Sequence, residues 1–225
     1  MRLLVLFIFL SSFTLGYQSY QPPNTISPQV SYHPLYEQRR NRLLGIYGVS
    51  NKTNSDATLS ITGNNPQNHS LSEKLSGIGL VVGYLLNQNH RILLNLENFF
   101  KKNGFSYQTF TLNYAFTPQI PNTIKWRLLL SANAGIALAN FNEGSFVVNN
   151  SAMGKLKYTG FTYGVKAGTI YQTTYGELEL GIQARRLNFG KANSSIPIND
   201  VPTSTTLDLS ETSSTGLFLG YNFLF

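Results

Sequence analysis

Three histidines, His33, His69 and His90, are the chain's only imidazoles, and there is no cysteine. A disulfide, a thiolate metal site and a cysteine nucleophile are therefore excluded. No two histidines stand at metal-ligand spacing. His33 sits in a proline-containing stretch and His90 opens an apolar run. His69 is followed directly by Ser70, a base beside a nucleophile in a long polar connection. Acyl transfer by such a pair needs the imidazole within reach of the hydroxyl and a third group to orient it. Neighbours on an extended chain point apart, and no carboxylate is specified. There is no phosphate-binding loop, dinucleotide fingerprint or dense carboxylate cluster. The sequence assigns no catalytic, cofactor-binding or metal-binding residue.

A second set of polar residues is better organised. Arg91, Glu97, Arg127, Lys166, Glu177, Glu179 and Arg185 lie inside alternating stretches, on the face opposite the large apolar groups. Glycines share that face: Gly77, Gly79, Gly83, Gly135, Gly160, Gly164, Gly168, Gly181, Gly216 and Gly220. Glycine weakens a strand, so a water-facing surface has no use for so many. The inside of a narrow barrel does, because large side chains there must face none. Buried charges must be paired. The seven residues are therefore expected to form a lumenal ion-pair and hydrogen-bond network, with Glu177 and nearby Lys125 the most exposed to the rim.

The elements that position them read as eight strands of period two. These are Arg42–Ser50, Leu75–Leu86, His90–Phe100, Phe105–Thr117, Ile124–Ala139, Leu156–Tyr171, Tyr175–Leu187 and a last strand from about Ser210 to Phe225. Most are as long as the ~9–11 residues a tilted strand needs to cross a bilayer. Their connections alternate. Residues 87–89, 118–123 and 172–174 are short, whereas 51–74, 141–155 and 188–209 are long and polar; Lys101–Gly104 breaks the rule. Aromatic residues gather near both ends of the strands. Tyr84, Tyr114, Phe116, Trp126, Tyr171 and Tyr175 suggest one girdle, and Phe99, Phe100, Phe105, Tyr107, Phe161 and Tyr163 a second.

Bulk composition agrees. Charged residues make up 12% of the 225 residues, against 13% aromatics, and the formal net charge is +7. Soluble domains carry about 25% charged residues. The basic residues are dispersed rather than gathered with aromatics in one stripe, so nucleic-acid binding is not expected. Lys101, Lys102, Lys155 and Lys157, with Arg186 and Lys191, lie at the long-loop end. They are either solvated loop ends or contacts for lipopolysaccharide phosphates.

The final strand carries the family signature. Leu217, Leu219, Tyr221, Phe223 and Phe225 share one parity, and the chain ends on the aromatic. Gly220, Phe223 and Phe225 form a Gly-x-x-aromatic-x-aromatic terminus that resembles the assembly signal of bacterial outer-membrane barrels. Phe218 stands where that family usually has a polar residue. Residues 42–225 resemble the small outer-membrane β-barrel family, the membrane domain of OmpA-type proteins and their short OmpX-like relatives. The resemblance implies an all-β, closed, up-and-down, eight-stranded antiparallel transmembrane barrel. It implies a monomer in outer-membrane lipid and lipopolysaccharide, delivered by the barrel assembly machinery, with both termini in the periplasm. The implied role is non-enzymatic, structural or adhesive, through surface loops and without a cofactor. Some eight-stranded barrels modify lipid A with a His and a Ser near the outer rim. His69 and Ser70 keep that alternative open. A secreted lipocalin-like carrier, with the apolar face turned inward, is the other. Diffusion porins need 16–18 strands for an aqueous channel, more than this length supplies.

Residues 1–16 read as a signal peptide: Arg2, an apolar run from Leu3 to Leu10, then small and polar residues to Gly16. That run is too short to span a bilayer as a helix. Residues 17–41, with Pro22, Pro23, Pro28 and Pro34, read as a periplasmic tether.

Overall fold

The computed structural model describes residues 41–61, 65–141, 147–148, 151–152, 156–198 and 201–225. Residues 1–40, which comprise the signal peptide and all of the tether but Asn41, lie outside the described residues, as does Lys155.

The described chain is all β. Eleven strands follow one another: β1 (Arg42–Ile61), β2 (Gln67–Leu85), β3 (His90–Lys102), β4 (Phe105–Phe116), β5 (Trp126–Phe141), β6 (Val147–Val148), β7 (Ser151–Ala152), β8 (Leu156–Gln172), β9 (Gly176–Asn188), β10 (Lys191–Ile198) and β11 (Val201–Leu224). Eight of them, β1, β2, β3, β4, β5, β8, β9 and β11, pair antiparallel in sequence order, and β11 returns to β1 to close the barrel. Closure removes the open edges that an eight-stranded sheet would otherwise expose. β6 and β7 form a separate two-stranded pair, and β10 adds to the outer part of β11.

Burial alternates along every barrel strand, and the large apolar parity faces out. Leu44, Ile46, Ile78, Leu80, Val82, Leu94, Leu96, Phe110, Leu112, Leu130, Val165, Leu180, Ile182, Leu217 and Leu219 are all exposed. Leu219 is 53% exposed and Val165 57%, while Gly181 and Phe218 beside them face inward. This orientation removes the lipocalin-like alternative, which requires the apolar parity to line the interior.

Three turns at one end are short, as their sequences require. At the other end, Asn103 (φ 46°) and Gly104 (φ 83°) make a two-residue hairpin between Lys102 and Phe105. Both φ values are positive, the conformation that Asn-Gly adopts at least cost.

Two of the long polar connections are not loops. Residues 51–61 continue β1, and 67–76 begin β2; they pair from Asn51 with Leu75 to Leu59 with Gln67. The connection before the last strand is likewise a hairpin, β10 with the start of β11. His69 and Ser70 therefore lie on a strand rather than in a loop. Strands β1, β2 and β11 stand well beyond β3 and β4, giving one tall side to the barrel.

Candidate functional site

The interior is the most constructed part of the molecule, and it is layered. At its centre is Glu97 on β3, wholly buried. Its carboxylate accepts hydrogen bonds from Tyr47 Oη at 2.6 Å, Thr109 Oγ1 at 3.0 Å, Lys166 Nζ at 3.2 Å and Arg185 Nη1. Four strands besides its own thus converge on one carboxylate. Lys166 also lies over the Tyr47 ring, 4.6 Å from its centroid, and Arg185 over Phe99 at 5.8 Å. Room for Tyr47 comes from two glycines. A side chain at Gly79 would collide with its ring, and one at Gly220 would meet its Cβ at 2.5 Å.

Toward the short-turn end, Arg91 forks onto Glu177, with contacts of 2.5 and 2.9 Å, and lies 3.6 Å from Glu179. Bidentate pairing fixes both groups and satisfies charges that burial would otherwise make costly. Glu177 is 1% exposed, so it belongs to the interior and not to the rim. Lys125 is exposed. Arg127 touches no carboxylate. Its Nε donates to Thr117 O at 2.9 Å and its Nη2 to Asn89 Oδ1 at 2.7 Å and to Gln88 O, so it ties two short turns together. The structure thus gathers Glu97, Lys166 and Arg185 into one cluster and Arg91, Glu177 and Glu179 into another.

Between the clusters is a small cavity of about 20 Å³, lined by Tyr47, Asn95, Asn113, Ser131, Lys166 and Glu179 among others. Asn95 Oδ1, Asn113 Oδ1 and Ser131 Oγ have no protein partner. Enclosed polar groups of this kind are where buried water sits.

Above Glu97 the interior becomes apolar. Phe99 stacks on Tyr107 with centroids 4.1 Å apart, and Phe105 meets Phe141 and Phe189. Leu59, Leu75, Leu187, Leu207 and Leu209 are buried around them. This corrects the second girdle. Phe100, Phe161 and Tyr163 face out, but Phe99, Phe105 and Tyr107 take the inward parity and fill the barrel mouth. The first girdle is outward: Tyr84, Tyr114, Phe116, Trp126 and Tyr175 are exposed and Tyr171 is half-buried.

The sequence-assigned outer features separate. Ser70 Oγ donates to Asp56 Oδ1 across the β1–β2 pair at 2.6 Å. The side chain of His69 lies outside the described residues. Lys101, Lys102 and Lys157 are exposed. At the terminus Gly220 points inward, while Phe223 and Phe225 are exposed on the outer surface. Phe225 also exchanges backbone hydrogen bonds with Arg42, 3.0 and 3.1 Å long, which fastens the last residue to the first strand. No group of His, Asp and Glu among the described residues could hold a metal ion.

The closed eight-stranded antiparallel barrel is a fold seen in solved structures. OprG of Pseudomonas aeruginosa superposes with a TM-score of 0.52 at 13% identity, over 82% of this chain and 97% of that one. This chain has the fold of the small outer-membrane β-barrels. Neisserial surface protein A superposes with a TM-score of 0.45 at 15% identity, over 80% of this chain and 97% of that one. The outer membrane protease OmpT of Escherichia coli gives 0.49 at 9% identity, over 82% and 97%. No protein-family model matches the sequence, and no curated protein does so significantly.

Proposed function

We propose that the chain resides in the bacterial outer membrane as a non-enzymatic, monomeric envelope protein. Its outer hairpins present a structural or adhesive surface to the exterior, and both termini face the periplasm. Residues 1–16 direct export, and Gly220, Phe223 and Phe225 present the finished strand to the barrel assembly machinery. Lys101, Lys102, Lys155 and Lys157 contact lipopolysaccharide.

The observation that carries this reading is the pairing of an outward apolar band with a filled lumen. An apolar surface of this extent is tolerated only against lipid or a partner. Glu97, Arg185, Lys166 and the aromatic mouth fill much of the interior, which favours a closed barrel over an open channel. What remains for function is the polar outer face of β1, β2 and β11.

The test is topological. An epitope inserted at residues 62–64 should be labelled by antibody on intact cells, and one placed just before Arg42 only after permeabilisation. The same protein in planar bilayers should show no steady conductance, and lipid A from producing cells should keep its mass. Recovery of the chain in a detergent-free soluble fraction would contradict the membrane assignment. A change in lipid A mass abolished by Ser70→Ala would contradict the non-enzymatic one.

A further inference from the structure

The outer surface of β1 and β2 contains an arrangement that a strand pair does not adopt to its own advantage. Lys52 and Lys74 are directly opposite each other in the register and both face out. Opposed residues on neighbouring strands hold their Cβ atoms about 5 Å apart, and like charges there repel. Neither lysine makes an ion pair among the described residues. Asp56, the outward acid on β1, accepts from Ser70 instead.

What lies beneath the pair is equally specific. One outward step toward the apolar band, Ser50 is opposite Ser76; one step further, Gly48 is opposite Ile78 on one side and Leu219 on the other. All of these positions face out. Gly48 has open space where a side chain would stand. From the outside inward, the surface therefore offers two ammonium groups, two hydroxyls and an apolar notch walled by Ile78 and Leu219. Lys74 is four residues beyond Ile78 on β2. In the same way Lys157 is four beyond Phe161 on β8, and Arg186 four beyond Ile182 on β9. At ~3.3 Å per residue and a tilt near 40°, these cations stand roughly 10 Å above the last apolar group. That is the headgroup level of a bilayer.

We propose that Lys52 and Lys74 clamp one phosphate of an outer-leaflet glycolipid, with Ser50 and Ser76 as further donors and an acyl chain in the Gly48 notch. The inference rests on the outer-membrane reading above. A dianionic phosphate between two ammonium groups turns their repulsion into attraction and forms charge-assisted hydrogen bonds. The notch singles out a lipid over free phosphate, because only a lipid fills both parts.

The test uses purified, detergent-folded full-length barrel and native mass spectrometry. Its probes are bisphosphorylated lipid A, the same lipid dephosphorylated, and inorganic phosphate. Wild type should bind one lipid A, and the dephosphorylated lipid about tenfold more weakly or worse. Lys52→Ser with Lys74→Ser should lose about tenfold, whereas Lys52→Arg with Lys74→Arg should stay close to wild type. Gly48→Leu should weaken the lipid without creating phosphate binding. A fold-independent control is Lys52→Glu. It should raise the melting temperature in lipid-free detergent, by replacing repulsion with attraction, and abolish the further rise that lipid A gives to wild type. The proposal is overturned if the double serine variant binds lipid A as wild type does. Equal binding of the dephosphorylated lipid, or displacement by inorganic phosphate at equal concentration, overturns it too. Fractionation of the same variants keeps the two readings apart. A barrel still in the outer membrane without lipid selectivity defeats only the clamp, whereas wild type absent from that membrane defeats the location.

Discussion

The lower and upper parts of the barrel solve opposite problems with the same strands. Low on β2, Ile78, Leu80 and Val82 face out while Gly77, Gly79 and Gly83 face in. Higher on the same strand, Ser70, Ser72 and Lys74 face out and Leu75 is buried inside. β1 makes the same exchange, from outward Leu44 and Ile46 to inward Ala57 and Leu59. The two faces trade polarity part-way along each tall strand. The lower segment has its apolar face outside and holds the buried ion pairs among apolar groups such as Leu93 and Leu129; the upper one is polar outside and holds an aromatic and leucine cluster beside a few hydrogen-bonded hydroxyls such as Ser55 and Thr212. Lumen chemistry follows: Glu97 and its cations where the wall is greasy, Phe105, Phe141 and Leu209 where it is wet.

The sharpest way to break this comparison is at its polar centre. Glu97→Ala leaves Lys166 and Arg185 buried without their carboxylate and should cost about 3–5 kcal/mol in urea unfolding of the bilayer-folded protein. In the apolar mouth, Leu209→Ala should cost about 2–5 kcal/mol by cavity formation. Restoring charge nearby would not recover the first loss, and refilling volume would recover the second. On the outer face, Leu219→Arg should cost about 2–4 kcal/mol while Thr58→Arg, on the same parity of the tall wall, costs about 0–1 kcal/mol. Equal penalties at the two positions would erase the lipid boundary between them. Tyr47→Phe removes a single donor from a charged acceptor and should cost about 1.5–3 kcal/mol. The smallest effect belongs to the rim. Lys191 and Asp208 approach to 3.9 Å at an exposed edge, and Lys191→Ala should change stability by under about 1 kcal/mol.

The lower barrel was legible in sequence because its signal is the one that period-two reading detects, namely apolar residues repeating on one face between turns. The upper walls were not, for two physical reasons. Their apolar residues switch faces, so the outward apolar pattern stops near Ser50 and Ser210 although the strands continue. A bulge then shifts the register. β1 and β11 pair Asp56 with Glu211 and next Thr58 with Asp208, which places an extra residue on β11. Below it the buried parity is even, as at Thr212, Ser214 and Phe218; above it the parity is odd, as at Leu207 and Leu209. One inserted residue turns every later side chain to the other face. Phe99, Phe105 and Tyr107 were misplaced in the same way. Their type suggested a girdle, but their parity places them inside. The pairing of particular charges was also beyond the sequence, since Arg127 and Arg91 look alike until the short turns close over one of them. The meeting of Lys52 and Lys74 is invisible in the sequence, because it depends on a register that only the extended hairpin creates.

The exchange of faces can be measured directly, because a chain without cysteine accepts single labels cleanly. Nitroxide labels at Leu219→Cys, Leu80→Cys, Leu59→Cys and Thr58→Cys, in bilayer-folded protein, would be compared for collision with oxygen and with a water-soluble nickel complex. The labels at 219 and 80 should be oxygen-rich and nickel-poor, the one at 58 nickel-accessible, and the one at 59 shielded from both. A lipid-exposed label at 59, or a shielded one at 219, would contradict the exchange of faces.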